Sequence, residues 1–173
     1  MPWTKLSHTL LLPLLLQGCG IYFFSGSLLP PAAHTCSLQF QSHVALGPPD
    51  LGEKFQERLG QELTQRTRLK LVEAEGDLQL EGSIQQFAYT PIGPTQGSGG
   101  SEEAQASTDR LTISVQLNYI NPYEPAASLS KKTFTQHADM PAEASRGAEE
   151  PALIEKIFNK LFQDIFNATI NNW

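Results

Sequence analysis

Leu111-Thr112-Ile113-Ser114-Val115-Gln116-Leu117-Asn118-Tyr119 alternates apolar and polar residues without a break. Successive side chains of a strand point to opposite faces. Leu111, Ile113, Val115, Leu117 and Tyr119 therefore share one face, and Thr112, Ser114, Gln116 and Asn118 the other. One apolar face and one polar face mark an antiparallel strand in a sheet covered on one side only. The rest of the chain has to supply partner strands for this one and a cover for its apolar face.

Partner strands are legible on both sides. Upstream, Leu78, Leu80, Gly82 and Ile84 alternate with polar residues. The pattern slips by one at Gln85-Gln86, so that Phe87 and Tyr89 take over. A one-residue slip inside a strand is what a β-bulge produces. Residues 90–108, rich in Pro, Gly, Ser, Gln and Glu, read as a long hairpin tip. The run Gly97-Ser98-Gly99-Gly100-Ser101 has no Gly-Lys-Ser/Thr after it and is not a phosphate loop. Downstream, Asn121-Pro122-Tyr123-Glu124-Pro125 is a turn, and Ser130 to Gln136 reads as a last strand with Lys132, Phe134 and Gln136 on one face. Nearer the N-terminus, Cys36, Leu38 and Phe40 alternate with Ser37, Gln39 and Gln41, a first strand. Leu69, Leu71 and Val72 form a short one, closed by the turn residues Glu75-Gly76-Asp77.

The cover comes from two helices. Asp50 followed by Glu53 has the spacing of an N-cap with its capping-box partner. Leu51, Phe55, Leu59 and Leu63 then recur every fourth residue, one face of a helix over residues 50–67. Near the C-terminus Pro151 suits a first helical turn. Leu153-Ile154, Ile157-Phe158, Leu161-Phe162 and Ile165-Phe166 follow as apolar pairs every four residues, a stripe wide enough to cover a sheet. The element order is β-α-β-β-β-β-α. The expected fold is α+β, a two-layer sandwich with a largely antiparallel sheet of four to five strands and both helices on one face.

The front end carries a different signal. Lys5 is followed by Leu10-Leu11-Leu12-Pro13-Leu14-Leu15-Leu16, too short to span a bilayer, which needs about 20 apolar residues. Leu16-Gln17-Gly18-Cys19 then reads as a lipobox, with Gly18 the small residue before the cleavage site. Residues 1–18 are expected to be a lipoprotein signal peptide, 19–34 a lipidated tether and 35–173 a single domain. Cys19 would carry a diacylglycerol and a fatty acyl chain. Several chains anchor stably, since each buried CH₂ contributes about 0.8 kcal/mol. The segment Gly20-Ile21-Tyr22-Phe23-Phe24-Ser25-Gly26 is uncharged and aromatic. It reads equally as a tether folded on the domain or as a segment at the membrane interface, where aromatic rings are favoured. Leu28-Leu29-Pro30-Pro31 reads as an extended linker.

Chemistry is sparse by comparison. The formal charge of −6 argues against general nucleic-acid binding. With Cys19 acylated, Cys36 has no disulfide partner and reads as a small buried hydrophobe. His137 and Asp139 lie two apart on one strand, but no Gly-x-Ser-x-Gly, HExxH, CxxC or EF-hand pattern accompanies them. No cofactor or metal is expected. A binding or assembly role is left by elimination.

Several segments are similar to those of a known family. They are Gly18-Cys19-Gly20-Ile21-Tyr22-Phe23-Phe24-Ser25-Gly26, Thr67-Arg68-Leu69-Lys70-Leu71-Val72, Gly76-Asp77-Leu78-Gln79-Leu80-Glu81-Gly82, Arg110-Leu111-Thr112-Ile113, and Asp164-Ile165-Phe166-Asn167 with Asn172-Trp173. Together they resemble the LPS-assembly lipoproteins (LptE-like) in the form found in Bacteroidota. The resemblance implies a non-enzymatic outer-membrane lipoprotein that plugs a large β-barrel, the LPS translocon, and supports its assembly. It implies Thr112, Ser114, Gln116 and Asn118, with the loop at 90–108, as a barrel-contacting surface. Some members bind LPS through basic residues on the sheet, which points to Lys131 and Lys132. These two are neighbours on a strand, so at most one would line any given face. No acidic residue follows Cys19 up to Ser25, and in this family's phylum that implies a periplasmic-facing protein. The competing expectation is a periplasmic carrier or scaffold that holds a small apolar ligand between sheet and helices.

Overall fold

The computed structural model describes residues 29–93, 108–140 and 145–170. The segment expected to be a signal peptide, Cys19, Trp173 and most of the expected hairpin tip lie outside these. Strands β1 (Thr35–Ser42), β2 (Lys70–Val72), β3 (Leu78–Ile92), β4 (Thr108–Ile120) and β5 (Leu129–Asp139) form one sheet. Helices α1 (Leu51–Arg66) and α2 (Arg146–Thr169) follow β1 and β5. The α+β class and the element order are as expected from the sequence.

The sheet order is β2-β1-β3-β4-β5. β3, β4 and β5 form an antiparallel meander, but β1 runs parallel to both its neighbours. The sheet is therefore mixed rather than largely antiparallel. The reason is a connection: α1 carries the chain from the end of β1 back to its start, so β2 enters beside β1 in the same direction. The tight turn at Glu75-Gly76-Asp77 then places β3 on β1's other side. A Cβ on Gly76 would lie 2.4 Å from the Ser37 nitrogen, so only glycine fits where this turn meets β1.

All the buried apolar residues gather into one core between the sheet and the helices. Phe55 of α1 sits at its centre, with ring centroids 5.0 Å from Phe40, 5.0 Å from Phe158 and 5.1 Å from Phe162. Leu51, Phe55, Leu59 and Leu63 of α1 are buried, as are all eight residues of the paired stripe on α2. Burial of Cys36 pushes its thiol up to about 12, so it packs as an apolar group.

Four local expectations are corrected. Asp50 makes no capping hydrogen bond; its carboxylate pairs with Lys54 at 2.8 Å instead. α2 begins at Arg146, so Pro151 lies inside the helix rather than in its first turn. Arg146 fixes that earlier start by donating to Asp109 (2.9 Å from Nε) and stacking over Tyr89 at 4.8 Å. The last strand continues to Asp139, where Arg110 grips the carboxylate through two hydrogen bonds of 2.6 and 3.0 Å. The prolines at 30 and 31 do not leave a free linker: Ala33 donates to the Pro30 carbonyl in a turn, and Leu29 and Ala33 are buried in the core.

Candidate interaction face

The bulge expected at Gln85-Gln86 is present. The β3–β4 register shifts between Ile84 and Gln86. Without it, the apolar residues at 87 and 89 would point away from the helices. With it, Phe87 is buried on the inner side and Gln79, Glu81, Ser83 and Gln86 stay on the outer side.

The registers then assemble the outer face row by row. Gln41, Ser83, Gln116 and Thr133 form one row across β1, β3, β4 and β5. Gln39, Glu81 and Asn118 form the next. On the other side of the bulge come Gln86, Ser114 and Thr135, then Ala88, Thr112 and His137. Both helices pack on the opposite face, so these rows have no cover within the described residues. Thr112, Gln116 and Asn118 are half-buried, shielded only by their neighbours in the sheet.

The four candidate partner-contacting residues therefore share one surface, but not equally. Ser114 is buried, its hydroxyl 3.2 Å from Gln86 Oε1 and 2.8 Å from Thr135 Oγ1. It ties three strands together and offers little surface of its own. Asn118 accepts a hydrogen bond from the Lys131 main-chain N–H at 2.8 Å. Thr112 and Gln116 keep side chains available at the surface.

Lys131 and Lys132 sit in different main-chain settings. Lys132 pairs with Leu117 on the inner register, at the edge of the sheet where it stays exposed. Lys131 sits in a second irregularity, between the pairs at Leu117 and Tyr119, with φ of +50°. Neither makes an ion pair among the described residues.

The His137–Asp139 pair also dissolves as a catalytic element, because Asp139 is committed to Arg110. No group of three or more metal-ligating side chains occurs among the described residues.

The open end of β1 carries a site that sequence reading missed. The Asp77 carboxylate accepts from the main-chain N–H groups of His34 and Thr35 and from the Thr35 hydroxyl, each at 2.9 Å, and from the Tyr123 hydroxyl at 3.2 Å. Chiefly the His34 amide, then the Thr35 hydroxyl and amide, hold its pKa down at about 2. The pairing spans more than 40 residues of sequence, so no local pattern could announce it. Its role is to pin the start of β1 to the β2–β3 turn.

The family model described as LptE, lipopolysaccharide-assembly, matches residues 34–169. No curated protein matches the chain. Among solved structures, a Xanthomonas campestris protein is similar at 12% identity and a TM-score of 0.50, over 79% of this chain and 86% of that one. A minor lipoprotein from Acinetobacter baumannii has 12% identity and a TM-score of 0.49, covering 81% and 92%. The rare lipoprotein B from Shewanella oneidensis has 12% identity and a TM-score of 0.39, covering 76% and 89%. At these identities the structural likeness concerns the fold alone.

Proposed function

The chain belongs to the LptE lipopolysaccharide-assembly family, and from that premise we propose that it is the lipid-anchored plug and assembly partner of a large outer-membrane β-barrel that exports LPS. The observation that supports this most is the outer face of the sheet. Polar side chains from four strands lie side by side with no helix over them. A plug has to present polar groups to a barrel interior, which is itself polar. An apolar outer face would instead call for a lipid or a second apolar layer.

The anchor in this reading is Cys19, and the protein stands on the periplasmic side of the outer membrane. No helix among the described residues is long and apolar enough to cross a membrane, so lipidation is what would hold it there. The role is non-enzymatic. Barrel contact falls to Thr112, Gln116 and Asn118, with Ser114 bracing the strands beneath them. Lys131 and Lys132, both exposed on the edge strand, are the residues this reading assigns to an LPS phosphate.

The carrier alternative draws no support from the centre of the core, where the rings of Phe40, Phe55, Phe158 and Phe162 pack against one another.

The test is a mild-detergent pull-down of the tagged, full-length protein from its own outer membranes, with partners identified by mass spectrometry. A large β-barrel at near-equal stoichiometry is the expected result. Recovery of the protein alone, even after cross-linking, would sink the proposal.

A further inference from the structure

β2 is only three residues long, and it pairs with Thr35, Cys36 and Ser37 alone. β1 continues to Ser42 while bonded to β3 on its other side. Beyond Ser37, then, no strand of the described residues occupies this edge of β1. The Lys70 amide bonds to the His34 carbonyl on this side. Main-chain groups alternate in direction along a strand, so those of Leu38 and Phe40 point to this edge as well. The Phe40 N–H is in fact met there, at 2.9 Å, by a side chain: Oε1 of Gln56 on α1.

The unoccupied edge lies in a groove of about 800 Å³. β1 and Leu71 form its floor, α1 one wall, and Glu73 the end where β2 stops. Leu71 is 43% exposed in it, one of the few large apolar side chains left uncovered. The far end closes at Gly52, where a Cβ would lie 3.0 Å from the Ser42 nitrogen. The gap is thus residues 38–41, about 13 Å at the usual rise per strand residue.

Charge indicates the occupant. Glu53, Glu57 and Glu73 line the groove, and no lysine or arginine does. None of the three carboxylates is in an ion pair among the described residues. The cations next to Glu53 and Glu57 in sequence are engaged elsewhere, Lys54 by Asp50 and Arg58 by Glu155.

We propose that this groove receives an extended, lysine- or arginine-bearing segment of a partner protein, which adds to the sheet as a short strand beside residues 38–41, in line with β2. Main-chain hydrogen bonds to β1 supply the pairing, with the Phe40 N–H released from Gln56. Side chains of the segment that face α1 lie over Leu38 and Leu71 and bring their cationic ends to Glu53, Glu57 and Glu73, and the alternate ones point to the outer side of the sheet. The groove meets the outer sheet face at Gln39 and Gln41, but Thr112, Gln116 and Asn118, assigned to the barrel, lie on β4, two strands from that edge, so each reading can fail while the other stands.

The experiment uses the full chain in non-ionic detergent micelles and two fluorescent six-residue peptides, one alternating lysine with valine and the other glutamate with valine. Fluorescence anisotropy should show binding of the lysine peptide alone. The double substitution Glu53→Lys with Glu57→Lys should weaken it about tenfold or more, with an unchanged thermal melt, since both positions are exposed. Thr133→Lys, on the opposite face, should leave affinity unaltered. Bound peptide should slow hydrogen exchange of the Phe40 amide by about tenfold. Equal binding of both peptides, or full binding to the reversed-charge variant, overturns the proposal. A charge preference without slower exchange at Phe40 overturns strand addition. Self-association of the chain that needs no peptide and vanishes in the reversed-charge variant would give the edge to a second copy, and overturns it as well.

Discussion

The two faces of this sheet are made by the same five strands, one residue out of phase, and they follow opposite rules. On the inner face, Leu111, Ile113, Val115, Leu117 and Tyr119 of β4 are almost wholly buried beneath two helices. On the outer face, Thr112, Gln116 and Asn118 of the same strand stay within reach of solvent. The inner face holds the fold and the outer face is left over for recognition. Ser114 is the exception that shows how the two are joined: it faces outward, yet it is buried and bonded across three strands. Changes to one face should read out as stability and changes to the other as association.

The largest effect should come from the centre of the inner face. Phe158→Ala removes a ring that packs edge-on against Phe55 and should cost about 3–5 kcal/mol, measured as a fall in the urea midpoint. A loss below about 1 kcal/mol would mean that the helices hold the sheet less tightly than their packing indicates. Ser114→Ala should cost about 1 kcal/mol, the worth of a buried hydrogen bond with its partners left behind. That would place it between the two faces. Thr112→Arg with Gln116→Arg should change stability by no more than about 0.5 kcal/mol each while reducing barrel co-purification severalfold. Undiminished recovery of the barrel would remove the outer face from the docking surface.

The smallest effect tests the pin at the end of β1. Asp77 is held at about 2, below its ordinary 3.8. Its contribution is therefore complete above pH ~4 and lost as pH falls through ~2. Asp77→Asn should lower the melting temperature at neutral pH, and the gap to the parent protein should narrow between pH 4 and 2. A gap independent of pH would show that the carboxylate's charge is not what holds the turn.

Much of the fold was written locally. Alternation located β1, β3, β4 and β5, and the slip at Gln85-Gln86 marked the bulge, because side-chain direction follows from period alone. What was not legible is what depends on distant partners. Nothing in residues 35–42 says that both neighbours of β1 run parallel to it; that follows from the path of α1. Asp50 had the spacing of a cap, but Lys54 competes for its carboxylate four residues on. The start of α2 is set by Asp109 and Tyr89, nearly 40 and 60 residues away. The outer-face candidates could be grouped from one strand's sequence, yet the burial of Ser114 depends on Gln86 and Thr135 from the strands on either side. The open edge of β1 depends on how early β2 ends, which its composition does not reveal.

The long β3–β4 hairpin also sets a distance. Its near end, at Leu78, lies beside the Asp77 contacts to His34 and Thr35, where the chain enters the domain. Its far end, at Ile92 and Thr108, lies beside Arg146 at the start of α2. Fifteen residues of strand separate the two ends, about 45 Å at the usual rise. The hydrocarbon layer of a bilayer is only about 30 Å thick. Under the proposed anchoring at Cys19, the Ile92 and Thr108 end of the hairpin would stand farther from the anchored end than that layer is thick. The hairpin is then a ruler, and removing equal numbers of residues from both strands should bring probes placed at His34 and Thr108 closer together, readable as a rise in energy transfer between them.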